Sequence, residues 1–307
     1  MMSFASVDAS QVILLSLPIR GQMKHDDRAH DVAVPGEEPH AESTFSALAT
    51  PLIDEALARV ASIHADASPE SLHQLRVALR RLRSLWWAYR PLLDKEENAR
   101  QRALYRYLAD AAGRTRDWDI LLELLAGDED SPRDVPPCLR EAREQALAAS
   151  RETLINADIH NVLHSALAST SKELNTAPER HALQKFAAKR VRAAERSLRK
   201  TQRGASHAKR FDYEALHDVR KAGKKVRYLL EFFGPMLDDD GHGHTLAHMK
   251  KLQQCFGELN DVIASVALLR DNTGLFADEQ DASAALAYLK ERRKHRQREA
   301  VRLLRKS

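Results

Sequence analysis

The feature that most constrains this chain is a helical segment that it writes twice. His73 to Leu93 reads HQLRVALRRLRSLWWAYRPLL, and 144 positions on, His217 to Leu237 reads HDVRKAGKKVRYLLEFFGPML. In each copy a His is followed at +3, +7 and +10 by cations: Arg76, Arg80 and Arg83 in the first, Arg220, Lys224 and Arg227 in the second. At ~100° and ~1.5 Å per residue those four positions fall within an arc of ~80° over ~15 Å of α-helix. Each copy therefore predicts a helix carrying one cationic stripe.

The register extends beyond the stripe. Pro91 and Pro235, Arg106 and Lys250, Gly113 and Gly257, and Asp117 and Asp261 are all separated by the same 144 positions. That many matches in one register imply a duplication, and the period is too long for a solenoid repeat, whose units run to about 50 residues. The expectation is an all-α fold of two pseudo-symmetric antiparallel helical-bundle lobes, about 43–174 and 178–306, behind a disordered N-terminal arm over 1–42.

H-x-x-R-x-x-x-[RK]-x-x-R occurring twice, each time followed about 40 positions on by G-x-x-[RN]-D, resembles the CHAD family, the conserved-histidine α-helical domain. The resemblance covers 43–306. It implies two helical lobes around a basic channel that binds inorganic polyphosphate. The second copy departs from the first at Lys224, which stands where the first has Arg80.

Composition agrees with an α-helical chain. There are 11 Gly, 11 Pro and 6% aromatics in 307 residues, which favours helices over sheets, and no sheet is expected. The net charge of +4 is too small to announce a polyanion partner by itself. Its distribution is more telling, because residues 185–227 hold 15 Lys or Arg against 4 Asp or Glu, the footprint of an anion site. The two cysteines, Cys138 and Cys255, form no metal-type pair and fit a reduced, cytoplasmic setting. Val12 to Ile19 is too short an apolar run to cross a bilayer, and no Lys or Arg precedes it as in a signal peptide. Met23 offers an alternative start.

Along the chain, Ser43 and Thr44 are candidate N-caps of a first helix. Ser68-Pro69 opens a second that ends at Pro91, a third spans 94–112, and a fourth opens at Asp117 as its N-cap. A turn-rich acidic linker follows over 127–137, then a long helical segment from Cys138 to Leu174. In the second half, helices are expected over 178–204, 211–233 and 242–256, with a short one from Asp261 and a last one over 282–306. On the second helix Leu75, Leu79, Leu82 and Trp86 lie ~110° round from the stripe, the geometry of a core face beside a ligand face.

A third cationic row is read after Pro178. Lys185, Lys189, Arg192, Arg196, Arg199 and Arg203 advance by 3 and 4 along one helix face, opposite Ala187, Val191, Ala194 and Leu198. Like charges at that spacing are mildly destabilising unless something anionic lies along them. Arginine in the first stripe suits bidentate contact with phosphate oxygens. His73 and His217 either donate to phosphate or close a hydrogen bond within the fold. Trp87, on the side of Arg83, can stack on a guanidinium, line the channel mouth or fill a lobe contact, and the last is the simplest. Tyr228 lies beside its stripe. Arg106, Lys250 and Lys221 join the two stripes and Lys189, Arg192, Arg196 and Arg199 as candidates for phosphate contact.

Catalysis finds little support: there is no phosphate-binding glycine loop, no G-x-S-x-G and no H-E-x-x-H. Asp238 to His244 with His248, and the pair His160 and His164, read as polar surface rather than as metal ligands. The expected function is non-catalytic polyphosphate binding with no cofactor and no membrane contact, in the cytoplasm and associated with polyphosphate granules. The competing reading is nucleic-acid binding through the phosphate backbone, which the scarcity of stacking aromatics on the cationic faces disfavours.

Overall fold

The computed structural model describes residues 39–65, 68–127, 134–207, 213–237 and 242–305. Ten α-helices account for nearly all of them: α1 (Ala41–Ala65), α2 (Pro69–Tyr89), α3 (Lys95–Ala111), α4 (Arg114–Ala126), α5 (Pro137–Asn156), α6 (Ile159–Thr176), α7 (Leu183–His207), α8 (Tyr213–Phe233), α9 (His242–Asp271) and α10 (Glu279–Arg305). No strand occurs among the described residues; extended pairing is limited to one isolated bridge between His40 and Ala182. The expected arm lies outside the described residues up to position 38, and Ala41 and Glu42 already belong to α1.

Local chemistry explains most boundaries. Ser68 caps α2, its hydroxyl accepting from the Ser71 N–H at 3.1 Å, with Pro69 in the first turn, where its missing N–H costs nothing. Asp94 caps α3 by accepting from the Glu96 and Glu97 N–H groups at 3.0 and 2.8 Å. Gly127, at φ 80°, ends α4 in the left-handed region that favours glycine.

Other expected boundaries move. Ser43 and Thr44 lie inside the first turn of α1 and donate to the His40 carbonyl at 3.1 and 2.8 Å instead of capping. The segment from Cys138 to Leu174 is two helices, broken where Asp158 turns to φ 41°. Asparagine and aspartate tolerate that conformation through local hydrogen bonding, and here Asp158 Oδ2 accepts from Asn161 Nδ2 at 2.7 Å. Asp117 is not an N-cap, because α4 already begins at Arg114. The expected break between 256 and 261 does not occur, and α9 runs continuously through Gly257 and Asp261.

The main core takes residues from both copies of the motif. Its centre is a run of aromatic contacts: Phe45 of α1 meets Trp86 and Tyr89 of α2 at 4.9 and 5.0 Å, Tyr89 meets Phe186 of α7 at 5.3 Å, and Phe186 meets Phe233 of α8 at 5.9 Å. Edge-on and tilted rings at these separations add to the large apolar area they bury. Leu75, Leu79, Leu82 and Trp86 are fully buried, as their spacing predicts, and Ala187, Val191, Ala194 and Leu198 on α7 are buried as well. This packing fixes α2 against α8 and turns both histidine stripes away from the apolar interior. A smaller cluster, including Trp118, Leu121, Leu139, Val266 and Leu289, joins α4 and α5 to the end of α9 and to α10.

Candidate polyanion-binding site

The two stripes meet. Arg80 of α2 is half-buried and its guanidinium is held below its ordinary range by burial, with further lowering from Arg76, Arg220 and Arg83 and an opposing pull from Tyr228. Lys224 of α8 is brought down to about 6 by burial and then by Arg80, Arg220, Arg227 and Arg76. Burial also lowers Arg220, against the raising influence of Asp261. Charges that act on one another across two helices belong to one cluster.

Most of that cluster has no carboxylate partner. Arg80, Arg83, Arg220 and Lys224 have no carboxylate within 4.0 Å among the described residues, and Arg220 Nε is closed off from solvent without a hydrogen-bond acceptor. Other cations are paired: Arg81 with Glu55 at 3.0 Å, Arg100 with Glu97 at 2.8 Å, Arg143 with Asp119 at 2.9 Å. Repulsion among unpaired cations opposes folding unless an anion joins them.

Arg76 is held differently. Its Nη1 donates to the Gly113 carbonyl at 3.1 Å and to Asp117 Oδ1 at 3.2 Å, and it packs so closely on Gly113 that a Cβ there would collide with the guanidinium. Gly113 is thus a glycine because a guanidinium lies over it. In the second copy Arg220 Nη2 stands 3.9 Å from the Cβ position of Gly257, and Asp261 influences Arg220 without a hydrogen bond between them. Burial pushes the Asp261 carboxyl above its usual range, outweighing the nearby guanidinium.

His73 and His217 meet similar surroundings. Both are lowered first by burial, then by cations: Arg116, Arg76 and Arg80 for His73, and Lys221, Arg220 and Lys224 for His217, with Glu70 and Asp218 opposing. In both, Nδ1 is enclosed and has no partner among the described residues. Tyr213 lies beside His217, ring to ring at 5.6 Å, and donates to Asn260 Oδ1 at 3.1 Å.

Of the remaining candidates, Arg227 and Lys221 stay at the edge of this centre, acting on Lys224 and His217, and the others separate from it. Arg227 is 3.3 Å from Glu231 and lies 4.8 Å over the Tyr228 ring. Lys221 pairs with Asp218 at 2.6 Å. Arg106 is exposed and 3.4 Å from Asp110, and Lys250 is exposed on α9. Lys189, Arg192, Arg196 and Arg199 form an exposed row on α7, with Arg199 3.8 Å from Glu195. None of these four is among the charges that weigh most on Arg80, Arg220 or Lys224. The α7 cation that reaches α2 is Arg190, which sequence spacing left off the row. It is buried, its Nε and Nη2 donate to the Ala88 and Trp87 carbonyls at 2.8 and 3.0 Å, and burial brings it down to about 10.

Among the described residues no group of three or more His, Cys, Asp or Glu is placed to hold a metal. The Asp238 to His244 segment with His248 lies outside the described side chains. His160 and His164 approach each other with ring centroids 4.5 Å apart. No described helix is long and apolar enough to cross a membrane.

A match to the CHAD domain family model spans residues 47–270, most of the chain and both stripes. The chain belongs to the CHAD domain family. Solved structures agree on the fold. The CHAD domain from the plant Ricinus communis superposes with a TM-score of 0.73 at 19% identity, covering 94% of this chain and 97% of that one. PptA from Streptomyces chartreusis superposes with a TM-score of 0.63 at 16% identity, covering 88% and 100%. No curated protein matches the chain. At these identities the likeness concerns the CHAD fold, and the chemistry of the site rests on the side chains described above.

Proposed function

We propose that this CHAD domain binds inorganic polyphosphate, without catalysis, in a basic cleft where α2 meets α8, and that this binding carries the protein to polyphosphate granules in the cytoplasm. One observation carries the reading: Arg80, Arg220 and Lys224 converge from two helices with no carboxylate within 4.0 Å among the described residues, and burial, then the neighbouring arginines, brings Lys224 down to about 6. A linear chain of phosphates supplies what such a cluster lacks, namely dense negative charge with oxygens for forked donors. Family membership supports the same ligand, as the doubled motif implies. Nucleic acid would bring similar charge, but it profits from aromatic platforms. Trp87, the aromatic on the α2 stripe, is only 9% exposed and is covered by Arg190 at 4.6 Å and Lys225 at 5.3 Å.

A competition titration separates the ligands. Fluorescently labelled polyphosphate bound to the protein should resist displacement by a duplex or single-stranded DNA carrying the same number of phosphates, while unlabelled polyphosphate displaces it, and prolonged incubation should release no orthophosphate. Displacement by DNA at equal phosphate concentration would favour the nucleic-acid reading, and orthophosphate release would make the protein an enzyme.

A further inference from the structure

The α2 stripe does not stop at Arg83. Its steps of 3 and 4 continue through Trp87 to Arg90 at the helix C-cap, whereas the α8 stripe runs on to Glu231, which lies 3.3 Å from Arg227, and then to Gly234. One stripe is therefore terminated by an acid and the other is prolonged by a cation.

Neighbouring elements reinforce the prolonged end. Arg90 and Lys225 both lie over the Trp87 ring, at 5.6 and 5.3 Å. Arg102 of α3 adds a guanidinium whose Nε is enclosed and without an acceptor, and burial, then Arg83 and Arg90, lower it. Lys225 is lowered by burial, then by Arg90, Arg102 and Lys221, with Asp218 opposing. Among the described residues none of Arg83, Arg90, Arg102 and Lys225 has a carboxylate within 4.0 Å. The opposite copy cannot build the same extension, since 144 positions along, Arg90 becomes Gly234 and Arg102 becomes Leu246, while Lys225 corresponds to Arg81, which Glu55 already holds.

Given the polyphosphate reading above, on which this rests, we infer that the anion track runs one way out of the α2–α8 cluster, past Arg83 to Arg102, Arg90 and Lys225, and that this extension makes the site select long linear polyphosphate over short. From Arg76 to Arg90 the helix alone spans ~21 Å. Three linked phosphates cannot cover that length, so tripolyphosphate meets the centre or the extension but not both.

The test is a pair of titrations, long-chain polyphosphate and tripolyphosphate, on the parent and on Arg90→Gln/Arg102→Gln, with Arg81→Gln as a control that removes a cation of the same helix outside the track. The parent should prefer the long chain. In the double variant the ratio of the two affinities should fall by about tenfold, and the dependence of long-chain affinity on salt should lose about one phosphate equivalent for each cation removed; Arg81→Gln should leave the ratio alone. An unchanged ratio in a double variant that keeps its helical circular dichroism overturns the extension. A parent that binds neither probe overturns the polyphosphate reading instead, so the two failures are distinguishable.

Discussion

Within the four-residue stripes, Lys224 is where the two motif segments part most in their chemistry, and the difference has a physical use. Arginine stays charged in any protein setting, whereas lysine can give up its proton when burial and like charges make the ammonium costly. Burial, then Arg80, Arg220, Arg227 and Arg76, brings Lys224 down to about 6. A basic group whose folded value is depressed binds fewer protons in the folded state than in the unfolded one between the two values. The contribution of Lys224 to the stability of the free protein therefore rises with pH from about 6 to about 10.5 and is lost on going down through that window. Lys224→Met should stabilise the free protein at pH 7 by at least about 1 kcal/mol in urea denaturation while weakening polyphosphate binding. Destabilisation would mean that the lysine is satisfied in the free fold.

The same residue changes the expected pH response of binding. A bound polyanion raises Lys224, His73 and His217 together, so binding takes up protons and affinity should climb as pH falls from about 8 to about 5.5. His73→Gln/His217→Gln should flatten the profile only in part, and adding Lys224→Arg should flatten the rest. The histidine share was legible from the sequence. The lysine share was not, because a pKa near 6 depends on which arginines the fold brings alongside.

At the scale of elements, the two motif glycines test how far the copies are alike. Gly113 sits at the break between α3 and α4 under the Arg76 guanidinium, while Gly257 lies inside α9 with its nearest neighbour at 3.9 Å. Gly113→Ala must displace Arg76 from the Gly113 carbonyl and Asp117, and should cost about 1–2 kcal/mol as well as several-fold in polyphosphate affinity. Gly257→Ala should instead stabilise by about 0.5–1 kcal/mol, as expected for glycine replaced in a helix interior. Equal effects at the two sites, read by urea denaturation, would contradict this asymmetry. The sequence showed both glycines in one register but not which of them breaks a helix, since that depends on the side chain packed against each. Arg90 was within reach of the same 3–4 arithmetic that found Arg83. Arg102 and Arg190 lie on other helices and carried no such signal.

For the whole molecule, composition and apolar periodicity made an all-α fold legible, and the buried Leu75, Leu79, Leu82 and Trp86 face followed directly from spacing. What spacing could not resolve was which of three cationic rows are brought together, because a helix face reveals its direction only once its neighbours are placed. The aromatic run from Phe45 to Phe233 settles it by fixing α2 against α8, leaving the α7 row exposed on its own helix. The most direct measurement therefore compares polyphosphate affinity in two double variants of equal charge change, Arg80→Ala/Arg220→Ala in the cluster and Arg192→Ala/Arg196→Ala on α7. With hydrogen bonds to charged groups contributing about 1.5–3 kcal/mol each, the cluster pair should lose at least about tenfold more affinity than the α7 pair. An equal loss, or a larger one on α7, would contradict the placement of the site between α2 and α8.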